Sequence, residues 1–249
     1  MPDPLDVLCF AAHPDDVELC AGGTVATLAQ QGYRVGVVDL TRGEMGTRGT
    51  PAIRDEEAAE ASRILGLVAR ENLGLPDGHL ENTPENRRQV IAPLRRYRPR
   101  LVLVGALEDR HPDHGNAARL VLDALFQGGL RRIETAEPDG TPHEPWRPAH
   151  VLHYMHAIPF EPTFVVDVTD VWETRMAALR AFRSQFDPDY ETDAPGTFIS
   201  DPAFFAWVEA RARHYGYRIG ATYGEPLLYH HGPVGVTDLM QTLARGGRT

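Results

Sequence analysis

Three short, unbroken apolar runs constrain the fold of this chain more than any other feature: Val7 to Ala12, Val35 to Leu40 and Leu101 to Ala106. Runs of this length without alternation suit strands buried on both faces, as in parallel sheets covered by helices. The segments between them carry helix signals. Gly22 to Gln31 reads as a helix ended at Gly32. Thr50-Pro51 and Thr83-Pro84 each read as an N-cap followed by proline in the first turn, opening helices that run to about Leu65 and Tyr97. A polar loop and a helix from about Gly115 to Phe126 follow the third run. Strands alternating with helices of this length predict an α/β fold: a Rossmann-like, doubly wound, mainly parallel sheet flanked by helices in three layers.

Beyond Gly128 the pattern loosens. Residues 134–149, with five prolines and glycines, predict an irregular surface loop. Val151 to Ala157 and Phe164 to Val168 predict two more strands, and Asp170 with Glu173 a capping box for a helix to Phe186. Asp187 to Gly196 reads as a loop or lid, and Pro202 to Tyr215 as a helix. The expectation is a single domain over residues 1–249, regular over 1–128 and looser over 129–249, at a length within the usual range for α/β domains.

The formal net charge of −10 argues against nucleic acid or an anionic membrane as a partner. No apolar run reaches the roughly 18 residues of a membrane-spanning helix. Acidic residues stand where a secretion signal would carry bases, which predicts a cytoplasmic protein. Cys9 and Cys20 sit among apolar residues and read as small buried thiols. All 25 basic residues are arginine, which excludes a lysine Schiff base and the lysine of a phosphate-binding loop. The first strand leads into HPDDVELCAGG, with no G-x-G-x-x-G turn, and that disfavours a non-catalytic nucleotide-binding module.

Two polar clusters fall at the carboxyl ends of predicted strands, where open parallel sheets bind ligands. One is His13-Pro14-Asp15-Asp16-Val17-Glu18; the other is Glu108-Asp109-Arg110-His111-Pro112-Asp113-His114. Hydrolytic zinc sites take three ligands from His and Asp/Glu and leave a position for water. His13 and Asp16 have the spacing to aim at one point, and one histidine of the second cluster would complete the set. Asp15 is then the spare carboxylate available as general base. Iron(II) or cobalt(II) would suit the same donors.

AHPDDVE at 12–18 with Gly22-Gly23-Thr24, and RHPDHGNAARL at 110–120, resemble the two signatures of the PIG-L/LmbE-like deacetylase family. The resemblance implies a Rossmann-like fold and zinc-dependent hydrolysis of an N-acetyl group on a glucosamine conjugate. It implies zinc ligands His13, Asp16 and His114, Asp15 as general base, and His111 supported by Asp113 near the scissile amide. The segments at 40–66, 72–78, 184–186, 209–216 and 223–226 resemble the branch that deacetylates N-acetylglucosaminyl malate in bacillithiol biosynthesis. Arg54 and Arg110 match substrate-contact positions of that branch, and guanidinium groups suit the two malate carboxylates. Other conjugates, a mycothiol precursor or a chitooligosaccharide, remain alternatives. Glu44 is a candidate contact for sugar hydroxyls. The resemblance also implies a homo-oligomer, a trimer or hexamer. Phe198 and Phe204 stand where some relatives place a tyrosine, so no tyrosine oxyanion donor is assigned. His153, Tyr154, His230 and His231 read as ordinary structural residues.

Overall fold

A computed structural model describes residues 2–238 and 240. Residues 239 and 241–249, the end of the expected single domain, lie outside it. In chain order the elements are β1 (Val7–Ala11), α1 (Asp16–Gln30), β2 (Val35–Thr41), α2 (Pro51–Leu65), β3 (Ala69–Leu75), α3 (Pro84–Tyr97), β4 (Leu101–Gly105) and α4 (Pro112–Gly128). They continue with β5 (His150–Tyr154), β6 (Phe164–Asp167), α5 (Trp172–Ala181), α6 (Arg183–Phe186), α7 (Pro202–Ile219) and β7 (Gly224–Tyr229). The strands form one sheet in the order β3-β2-β1-β4-β5-β7-β6, parallel from β3 to β5 and antiparallel at the β5–β7 and β7–β6 pairs. This is the expected doubly wound sheet. Strand residues alternate between two cores: Val7, Cys9 and Ala11 pack towards α1, α2 and α5, while Leu8 and Phe10 pack towards α3 and α4. Both cysteines are free and buried. Among the described residues no helix is long and apolar enough to cross a membrane.

Most elements match their sequence signals. Thr50 and Thr83 cap α2 and α3 by accepting the amides of Ile53 and Asn86. Several expectations need correction. Helix α1 starts at Asp16 and not near Gly22, and α4 at Pro112 and not near Gly115. In both, the chemistry-bearing polar residues form the first helical turn, where acids are favoured by the helix dipole. Strand β3 lacks a strand signal because ARENLGL is polar and half-buried at the sheet edge. Strand β7 lacks one because it contains Glu225 and Pro226; the β5 ladder ends at Leu227, so Pro226 lies beyond it and faces only β6. No Asp170–Glu173 capping box forms: a 3₁₀ turn at Thr169–Val171 precedes α5, and the chain breaks helix at Phe182 before α6.

The Gly22-Gly23-Thr24 segment has a packing reason. The amides of Gly23 and Thr24, in mid-helix, donate to the Glu225 carboxylate at 2.9 and 2.6 Å. The carbonyl of Leu19, one turn earlier, accepts from Arg175 and Arg211. Side chains from the C-terminal half therefore enter the hydrogen-bond ladder of α1. A Cβ on Gly23 would lie 2.8 Å from Val168 Cβ and 2.9 Å from Glu225 Oε1. Alanine favours helix over glycine by about 1 kcal/mol, but overpacking against stiff neighbours costs about 1–3 kcal/mol. Gly23→Ala is therefore expected to lower stability in urea unfolding; a stabilised variant would refute this account of the motif.

Candidate active site

The strand order reverses between β1 and β4, and the loops after these two strands meet there. They line a cavity of about 560 Å³ whose polar floor includes His13, Asp15, Asp16, Asp77, His111 and His114. The wall opposite comes from the C-terminal half, with Gln185, Phe186, Phe198, Ile199, Phe204 and Trp207.

The structure brings His13, Asp16 and His114 together: one potential ligand atom from each lies within 4.8 Å of the others. His114 Nε2 is 3.2 Å from Asp16 Oδ1, and His13 Nδ1 is 3.6 Å from Asp16 Oδ2. The other nitrogen of each histidine meets a carboxylate, His13 Nε2 with Asp77 Oδ1 at 3.0 Å and His114 Nδ1 with Asp109 Oδ1 at 2.8 Å. A carboxylate behind each imidazole is the usual support of a metal-bound histidine, fixing its tautomer and ring plane. Electrostatics agree. Burial lowers the His13 pKa, but Asp113, Asp16 and Asp77 outweigh it and hold it well above the usual value. His114 rises to about 9, with Asp16 and Asp109 overcoming burial. Burial would raise Asp16, yet His114 and His13 hold it well below the ordinary carboxylate range. This pocket favours positive charge, and the donor set of two imidazoles and a carboxylate with a position left over suits a divalent transition metal.

Asp15 occupies the turn between β1 and α1 with φ 109°, a conformation that costs a residue with a side chain about 1–3 kcal/mol. Arg54 holds it there, donating from Nη2 to Asp15 Oδ2 at 3.0 Å and to the carbonyl of Pro14, and from Nη1 to Gly43 O. Burial pushes the Asp15 pKa up to about 7; Arg54 opposes this and Asp16 adds to it. The buried Arg54 thus faces the site. It is not a solvated helix arginine paired with Glu57 or Glu60, which bind Ser184 and Arg63.

His111 caps α4, its Nδ1 accepting the amide of Asp113 at 3.2 Å. Its pKa is lowered by burial and by its neighbours His13 and His114. Asp113 meets His111 through this amide, while its carboxylate accepts from the amides of Gly78 and Leu80. Arg110 lies at the cavity mouth with its guanidinium 5.3 Å from the centre of the Phe198 ring. Glu44 is exposed and accepts the Asp77 amide at 2.8 Å; Met45 and Gly46 line the cavity beside it. Asp77 and His156 escape a reading of the sequence. Asp77 sits in Pro76-Asp77-Gly78, which reads as turn chemistry, and His156 is a lone histidine after an apolar run.

The signature of the PIG-L family, described as GlcNAc-PI de-N-acetylase, matches residues 8–125. The chain is 32% identical over 199 residues to the diacetylchitobiose deacetylase of Thermococcus kodakarensis, spanning 75% of this chain and 72% of that protein. It is 28% identical to a probable N-acetyl-alpha-D-glucosaminyl L-malate deacetylase 2 of Bacillus cereus, over 82% of this chain and 94% of that one. Among solved structures, the conserved protein TT1542 of Thermus thermophilus superposes with TM-score 0.82 at 41% identity, over 94% of this chain and 98% of that one. The chain belongs to the PIG-L family. It is an N-deacetylase, an enzyme that hydrolyses an amide.

The two supporting carboxylates generate a prediction. Asp77→Asn and Asp109→Asn are each expected to weaken zinc binding about 10- to 100-fold, read by competition with a chromophoric chelator, while the surface change Asp55→Asn leaves it alone. Wild-type affinity in both site variants would remove this role.

Proposed function

We propose that this enzyme removes the acetyl group from an N-acetylglucosamine conjugate, with His13, Asp16 and His114 holding a zinc ion. The observation that carries the reading is the Asp15 carboxylate, buried and strained beside that three-donor set on the cavity floor. When bound, the ion would polarise the acetyl carbonyl and acidify a neighbouring water. Asp15, poised near neutrality, accepts the proton of the attacking water. His111 has its Nδ1 occupied by the Asp113 amide, which leaves the Nε2 hydrogen to donate towards the amide being cleaved. Either Asp15 or His111 returns a proton to the departing amine. Asp15→Ala is expected to cut kcat about 10²- to 10⁴-fold with zinc content retained; full turnover in that variant would sink the general-base role.

The finer proposal is that the conjugate is N-acetyl-α-D-glucosaminyl L-malate, the substrate of a bacillithiol-type pathway. Arg110 supports it. This guanidinium lies over Phe198 at the cavity mouth with no carboxylate partner within ion-pair distance among the described residues, which leaves its edge for a substrate carboxylate. Arg54, assigned to the same task from the sequence, would act indirectly through its grip on Asp15. A second reading has its own support: Phe198 and Met45 are 64% and 68% exposed at the cavity, an apolar rim suited to a second sugar ring, as in a chitooligosaccharide. The two halves of the chain acting as one domain, a cytoplasmic setting and assembly into a homo-oligomer belong to the same proposal.

A panel of N-acetylglucosaminyl malate, diacetylchitobiose and N-acetylglucosamine, assayed for amine release with zinc-loaded and metal-stripped protein, tests both readings. The malate reading expects zinc-dependent release favouring that glycoside, and Arg110→Ala to raise its KM roughly 10- to 100-fold without changing the KM for N-acetylglucosamine. Preference for diacetylchitobiose would replace it with the second reading.

A further inference from the structure

His156, in the loop after β5, is a buried residue of the cavity lining, and neither of its ring nitrogens has a hydrogen-bond partner among the described residues. A buried polar group left so is uncommon and calls for a reason. Its surroundings supply one. The ring lies almost parallel to that of His114, with centroids 3.9 Å apart and 15° between planes. At its Cε1 edge it fills the space where Gly105, the last residue of β4, lacks a side chain: a Cβ there would lie 2.5 Å from His156 Cε1 and 3.3 Å from Nδ1. Tyr154 meets the ring edge-on at 4.9 Å. From below, Arg211 of α7 fixes the loop by donating to the carbonyls of Met155 and His156. The seat, the backing and the tether all belong to this one ring.

We propose that His156 is a positioning residue for the metal centre. Stacked face-on against His114 and held at its Cε1 edge by Gly105, it stops the His114 ring from swinging, so that Nε2 stays on Asp16 while Nδ1 keeps Asp109. It acts through ring shape, not through its nitrogens. His156 Nε2 lies 3.8 Å from Asp16 Oδ1, the oxygen that His114 Nε2 meets at 3.2 Å, and ligand atoms of Asp109, His114 and His156 lie within 4.8 Å of one another. Nearly parallel rings, however, aim their in-plane lone pairs alongside each other without converging, which fits a stacking partner better than a further ligand. Asp109 fixes one atom of His114; a single hydrogen bond leaves rotation about it free, and the stacked ring removes that freedom. The inference rests on the reading of His114 as a metal ligand.

The test measures zinc affinity, by competition with a chromophoric chelator, for apo-protein of the wild type, His156→Phe, His156→Ala and Gly105→Ala. The cobalt(II) absorption spectrum reports ligand geometry, and far-UV circular dichroism confirms folding. His156→Phe keeps a flat ring and is expected to bind zinc close to wild type. His156→Ala and Gly105→Ala are expected to bind about 10-fold or more weakly, with altered cobalt bands. In the double variant the Gly105→Ala penalty should vanish, because the ring it displaces is already gone. Wild-type affinity and spectrum in His156→Ala would overturn the proposal. So would a folded His156→Phe as weak as His156→Ala, which would assign the effect to the nitrogens. A Gly105→Ala penalty that persists in the double variant would overturn the seating argument. Undiminished zinc binding by His114→Ala would instead overturn the ligand reading, and is distinguishable because it needs no change at His156.

Discussion

The pairing of β1 with β4 governs what this protein can do. In register from Val7 opposite Leu101 to Phe10 opposite Val104, the two strands end side by side. Their successor helices lie on opposite faces of the sheet, α1 against one core and α4 against the other. Chains leaving adjacent parallel strands towards opposite faces open a crevice at the strand ends. The HPDD turn enters that crevice from one side and the RHPDH turn from the other. A shift of one residue in this register would turn every strand side chain to the opposite face, and His13 would no longer meet His114.

Around that crevice the charges form a self-consistent set. Asp16 sits between two histidines and is held charged; Asp77 and Asp109 stand behind those histidines and draw protons or a cation towards them. Asp15 is two peptide units from His13, yet its environment is opposite. Burial dominates, Arg54 compensates only in part, and the group rests near neutrality. Surroundings alone thus push the pKa values of two neighbouring aspartates apart, Asp16 down and Asp15 up, the separation on which the proposed base role of Asp15 depends. The left-handed turn at Asp15 is what allows two consecutive carboxylates to face such different partners.

Much of this is legible in the sequence, and the limits have physical causes. The buried strands β1, β2 and β4 declare themselves because both faces are apolar. The ligand candidates declare themselves because dense His/Asp clusters follow two of those strands. What the sequence does not reveal is contact across elements. Asp77 reaches His13 over 64 residues, and its local signal is only that of a turn. His156 gains meaning from Gly105, a distant glycine whose role is to leave room. Glu225 looks like a strand breaker next to Pro226, whereas it binds two amides inside α1. The helix starts are misplaced for a related reason: residues selected for chemistry mask the apolar periodicity that announces a helix.

Chemistry and enclosure divide along the chain. Every member of the proposed ligand, base and supporting carboxylate set lies between His13 and His114, inside the span matched by the family signature. The remaining residues contribute none of those charges. They supply the aromatic wall, the loop that seats His156 and the clamp of Glu225, Arg175 and Arg211 on α1. Reacting groups must be held to fractions of an ångström, which rigid strand ends and helix starts can do. A wall facing the variable part of a substrate has no such demand, and loops can change it without moving the metal donors. A shared first half with a reshaped second half is the form expected where one cluster of reacting groups serves different substrates.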